Sequence, residues 1–89
     1  MKAIITVLGQ DRVGIIASVS TLLAANSINI LDISQTTMQS VFTMIMHVDM
    51  EGSGADILGM SEKLADLGKE IGLEIRIQHE GIFNAMHRM

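Results

Sequence analysis

Residues 3–19 read AIITVLGQDRVGIIASV. The first six are apolar and mostly β-branched, and they stop at Gly9. Such a run predicts a buried strand over residues 3–8. Past the loop, Ile15, Ile16, Val19, Leu22 and Leu23 recur at three- and four-residue steps, which lays one apolar stripe along a helix. Asp11 stands just ahead of that stripe and is the expected N-cap, with Asn26 and Ser27 closing the helix. A strand that feeds a helix through a short loop is the first half of a βαβ unit.

The rest of the chain repeats that plan after a hairpin. Residues 28–38, INILDISQTTM, are rich in isoleucine and threonine and read as a second strand, and Gln39–Ser40 as a tight turn. In residues 41–50, Phe42, Met44, Met46, Val48 and Met50 share one face of a period-two strand, with Val41, Thr43, Ile45, His47 and Asp49 on the other. Gly52–Ser53–Gly54 breaks the chain, and Ser53 with Asp56 is a capping-box variant. Ile57, Met60, Leu64, Leu67 and Ile71 then form a second helical stripe, and Gly72 occupies the C′ position. Residues 73–79, LEIRIQH, alternate with Leu73, Ile75 and Ile77 inward. The order βαββαβ predicts an α+β, ferredoxin-like sandwich: a four-stranded antiparallel sheet, strands one and three central, with two helices on one face. Residues 1–80 form the single domain. Residues 81–89 are a tail whose apolar Ile82, Phe83, Met86 and Met89 pack on the open sheet face or on a partner subunit.

Composition removes several functions. A chain of 89 residues makes one domain. It buries roughly 60–65% of its unfolded surface, so self-association is expected. It has no cysteine, hence no disulfide, thiolate metal site or thiol nucleophile. The net charge is −4, the basic residues are scattered, and phenylalanine is the sole aromatic type, with two copies. Nucleic acid binding calls for clustered Lys and Arg or for aromatic platforms, so no direct nucleic-acid partner is expected. The start, MKAIITVLGQDR, lacks a signal-peptide pattern, and no apolar run approaches the ~18 residues that span a bilayer. No membrane partner is expected, and the expected location is cytoplasmic.

Among the chemistry-bearing residues, the opening loop is the richest. A helix start presents free N–H groups and partial positive charge, and Gly14 leaves them open to a carboxylate or phosphate. Asp11 can accept from an ammonium group, so the pair suits a zwitterion. Equally, Asp11 can be a plain cap and Arg12 a solvated charge. Gly9 and Gly14 match no nucleotide-binding fingerprint. Asn29 and Asp32 interrupt the second strand, facing either water or a neighbouring subunit. His47, His79 and His87 match no metal motif, and no nucleophile or orienting carboxylate stands out, so neither a metal site nor catalysis is expected. No cofactor is implied.

The run GQDRVGIIASVSTLLAANSINILDISQTT resembles the opening of an ACT domain, most specifically in D-R-x-G-I at residues 11–15 and N-I at residues 29–30. The ending HEGIFNAMHRM is similar to small stand-alone ACT proteins akin to the glycine cleavage repressor group. That resemblance implies a non-enzymatic regulatory module. It would be a homodimer binding a small amino acid or related metabolite between subunits and acting on a regulated protein. It implies a ligand set of Asp11, Arg12, Val13, Gly14 and Ile15 from one chain, with Asn29 and Ile30 from its neighbour. Serine-sensing members carry a histidine where this chain has Gly9. The alternatives are an interaction adaptor without a small ligand and, on the strength of Arg12 alone, an acylphosphatase-like enzyme. The latter lacks a matching catalytic asparagine.

Overall fold

A computed structural model of the protein describes residues 1–86; His87, Arg88 and Met89 lie outside the described residues. The elements run β1 (Lys2–Gln10), α1 (Ile15–Ala25), β2 (Asn29–Met38), β3 (Val41–Asp49), α2 (Ile57–Ile71), β4 (Leu73–His79) and α3 (Glu80–Met86). The four strands form one antiparallel sheet in the order β2-β3-β1-β4, so β1 and β3 are central and β2 and β4 are edges. This is the ferredoxin-like arrangement, with a third helix added.

The strand pairings explain where the core lies. Across the sheet one row reads Ile77, Ile5, Met46, Ile33, and the next reads Ile75, Val7, Met44, Gln35. In each row the residues of β4, β1 and β3 are buried and the residue of β2 is exposed. α2 lies closely along β4. Gly68 makes that possible, because a Cβ there would strike the Leu73 carbonyl oxygen. Met60 and Leu64 of α2 and Val19 and Leu23 of α1 fill the layer between helices and sheet. On the helix side α1 reaches β2 only at its margin, and Ile30 alone among the β2 residues is half-buried while the others are exposed.

Local signals act as their chemistry requires. Gln39 and Ser40 take φ of 49° and 68°, the left-handed pair that closes a two-residue hairpin. α1 ends with Ser27 at φ 57°, its N–H on the Ala24 carbonyl and that of Ile28 on the Leu23 carbonyl, a Schellman closure. Gly72, at φ 75°, ends α2 and donates to the Gly68 carbonyl.

Three expectations are corrected. Asp11 does not cap α1. The N-cap is Gly14 at φ 90°, without a side-chain capping bond, because the loop takes its last turn through the glycine and leaves Asp11 three residues upstream. Ser53 does not cap α2. Asp56 does, accepting from the Gly59 N–H at 2.7 Å, while Ser53 Oγ donates to the Asn26 carbonyl and accepts from the Ala55 N–H. The helices number three among the described residues and not two, for Glu80–Met86 form α3 against β1 and β4, on the face opposite α1 and α2.

Candidate functional site

The opening loop is held at two consecutive residues near its start. The Asp11 N–H donates to the Ser40 carbonyl at 2.8 Å, tying the loop to the β2–β3 turn. Arg12 Nη1 donates to the Ile71 carbonyl at 2.9 Å, placing a cation on the C-terminal end of α2, where the helix dipole favours it. Arg12 is therefore a bridge between loop and helix rather than a free charge. Past these anchors the chain reaches Val13, which is 99% exposed, and turns at Gly14. A Cβ on Gly14 would meet nothing within 4 Å, so glycine serves its positive φ here and not a tight contact.

Beneath this turn lies an open cleft of about 550 Å³. Asp11, Arg12, Gly14 and Ile15 line its loop side, with Ile16 and Ala17 on the first turn of α1. Gln35, Thr37 and Phe42 form its floor. The first intrahelical bond of α1 runs from the Ser18 N–H to the Gly14 carbonyl at 2.9 Å. The N–H groups of residues 15–17 precede it and have no acceptor within the helix. No acidic side chain stands in that first turn to neutralise them. The cleft thus offers N–H donors and a positive helix end on one wall, the Asp11 carboxylate at its rim, and an amide and a hydroxyl on its floor. Such a set can hold a small molecule carrying both an anion and a donor group. Ile16 belonged to the apolar stripe in the sequence, yet its side chain is exposed, because α1 at this point overhangs the uncovered β2.

The structure gathers Asp11, Arg12, Gly14 and Ile15 at this cleft and leaves Val13 outside its lining. Asn29 and Ile30 are elsewhere. Asn29 pairs with Asp49 and Asp49 with Lys2, at the far end of the sheet from Gln10 and the loop. At ~3.3 Å per residue the two ends stand roughly 25–30 Å apart. Gln35 and Thr37 were not singled out from the sequence. The signal was present: the inward-facing positions of β2 change from Ile33 to Gln35 and Thr37, and a strand whose core side turns polar is one without cover. Also missed was the partner of His47. Its Nε2 meets the carboxylate of Glu80 at the start of α3, so the carboxylate beside His79 in sequence serves His47 in space.

Among the described residues, no group of three or more His, Asp or Glu side chains is placed to hold a metal ion. Among the same residues, no helix is long and apolar enough to cross a membrane.

Comparison with known proteins bears on the family and the fold. The family model for the ACT domain matches residues 2–78. A UPF0237 protein of Clostridium acetobutylicum is 56% identical over 89 residues, spanning all of both chains. A solved ACT domain protein from Streptococcus pneumoniae superposes with a TM-score of 0.83 at 40% identity, over 98% of each chain. A second solved structure, of a protein proposed to be a glycine cleavage system transcriptional repressor, superposes with a TM-score of 0.73 at 28% identity. That match takes in 86% of this chain and 44% of the other. A fold, a loop and a family model that agree over nearly the whole length leave one conclusion: this chain belongs to the ACT domain family, whose domains are regulatory modules for small ligands.

Proposed function

We propose that this protein is a non-catalytic regulator that binds a small amino acid or similar metabolite where two copies of the chain meet. The observation that carries the proposal is the cleft at the start of α1, which opens directly onto the uncovered strand β2. Residues 33–38 of β2 are uncharged and exposed, and an edge strand of that kind is a template for pairing. If two β2 edges pair antiparallel about a two-fold axis near Ser34–Gln35, Asn29 of one copy comes beside the Gln39–Ser40 turn of the other. Ser40 is the residue that anchors Asp11. The two halves of the ligand set, far apart in one chain, then flank one cleft. A ligand there bridges subunits, and its concentration sets the geometry or stability of the dimer by linkage. The regulated protein receives that signal. Cytoplasmic placement accords with the absence of cysteine.

The test is thermal melting against each of the twenty amino acids. A ligand at a hundred times its Kd stabilises by about 2.7 kcal/mol, which raises Tm by roughly 10–20 °C in a domain of this size. Asp11→Ala and Asn29→Ala should each abolish the shift. A flat panel would favour the adaptor reading, in which the β2 edge itself is the recognition element and no small molecule takes part.

A further inference from the structure

Two groups in the cleft at the start of α1 are not needed to hold the atoms that every amino acid shares. The N–H groups of residues 15–17 suit a carboxylate, and Asp11 suits an ammonium. Gln35 and Thr37 on the floor are left for whatever side chain the ligand carries. They hold successive helix-side positions of β2, in the rows through Val7 and Met44 and through Gly9 and Phe42. The helix-side position before them is Ile33, so the strand turns from apolar to polar where the cleft begins. Both residues are exposed, and among the described residues neither side chain has a hydrogen-bond partner.

We infer that Gln35 and Thr37 select an amino acid with a carboxamide side chain, asparagine or glutamine; the inference rests on the amino-acid reading of this cleft. A primary amide carries an acceptor oxygen and N–H donors in one plane. The Gln35 side chain ends in the same group, so two amides can pair edge to edge, each donating one N–H and accepting one. Thr37 adds a hydroxyl that donates or accepts. A hydroxyl side chain on the ligand would supply one donor where the amide pair makes two bonds. A carboxylate of the amide's shape only accepts, so it has no proton to offer the Gln35 oxygen. Nor does the floor hold a cation to offset its charge, since Gln35, Thr37 and Phe42 are neutral. Arg12, the cation among the lining residues, donates to the Ile71 carbonyl and lines a separate cleft against α2 with Gln10 and Gly72. A basic side chain would compete with the ligand's own ammonium for Asp11. Leucine, close to asparagine in shape, would strip water from Gln35 and Thr37 and return no hydrogen bond.

Isothermal titration calorimetry with each of the twenty amino acids tests the inference. Asparagine or glutamine should bind wild type about tenfold or more tightly than the matching acid, and than leucine or methionine. Gln35→Leu should erase the preference for the amide over leucine. Gln35→Lys puts a cation on the floor and should turn the preference toward aspartate or glutamate. Thr37→Val should shift the same ratios in the direction of Gln35→Leu, by less. The ratio between ligands is the readout, because a variant that merely alters folding or association moves all ligands together. The inference is overturned if an acidic, apolar or other amino acid binds wild type as tightly as both amides. It is also overturned if Gln35→Leu keeps the amide preference. In either case the amino-acid reading of the cleft stands with a different selector. If none of the twenty binds, that reading fails and the inference falls with it.

Discussion

β2 and β4 are both edge strands of one sheet, and the molecule treats them oppositely. β4 alternates cleanly between buried and exposed positions, while β2 is exposed along its length except for half-buried Ile30. The difference arises on the helix side. α2 is drawn onto β4 through Gly68, while α1 meets β2 only at its margin and leaves a cleft between them. β2 guards one end with Asp32 and an irregularity in its register between Ile30 and Asp32, then runs uncharged to Met38. One edge belongs to the core, and the other stands outside it. The cleft under α1 lies on that second side.

The sharpest way to break this contrast uses a single row. Ile77 and Ile33 occupy equivalent inward positions at opposite ends of the row through Ile5 and Met46, at 7% and 39% exposure. Ile77→Ala removes buried methyl groups and should cost about 2–4 kcal/mol in urea unfolding. Ile33→Ala should cost about 1–2 kcal/mol in dilute protein, because more than a third of the residue already faces water. If the cost of Ile33→Ala grows with protein concentration while that of Ile77→Ala does not, β2 is being covered by a second copy. Equal costs in dilute protein would end the distinction between the edges.

A smaller effect tests its cause. Gly68→Ala places a Cβ against the Leu73 carbonyl, which is backbone and gives way little. The expected loss is about 1–3 kcal/mol from overpacking, seen as a lowered denaturation midpoint. Hydrogen exchange should locate the loosening in β4 and α2. An unchanged midpoint would mean that the close approach is not what draws α2 to that edge.

Much of this was legible in the residues, because burial imposes period. The alternation of Phe42, Met44, Met46, Val48 and Met50 identifies β3 and its inward face, and the stripe from Ile57 to Ile71 identifies α2. What did not show is what depends on the other partner in a contact. Asp11 has the right chemistry for a cap and the right distance from the helix, but a cap is a matter of backbone angle, and Gly14 takes the last turn. Arg12 looks like a surface charge until the Ile71 carbonyl, distant in sequence, comes beside it. Glu80 adjoins His79 in sequence and meets His47 in space. The loop and its helix start were readable. The floor of the cleft was not, since Gln35 and Thr37 gain meaning only once β2 is known to lack cover.

The smallest effect separates the two helix starts, which differ as the edges do. α2, over the closed edge, is capped by Asp56, whose side chain holds the Gly59 N–H. α1, beside the open edge, has no side-chain cap and no acid in its first turn. Asp56→Ala should cost about 1 kcal/mol, since it strips an acceptor from a helix end that has adapted to it. Asp11→Ala should stay within about 0.5 kcal/mol of wild type in the absence of ligand, because its backbone N–H and not its carboxylate anchors the loop. Chemical unfolding of both variants beside wild type measures the difference directly. A costly Asp11→Ala would mean that the carboxylate holds the loop after all and has a structural task. A neutral one frees that carboxylate of any structural task, as the proposed ligand role requires of a group at the rim of a donor-lined cleft.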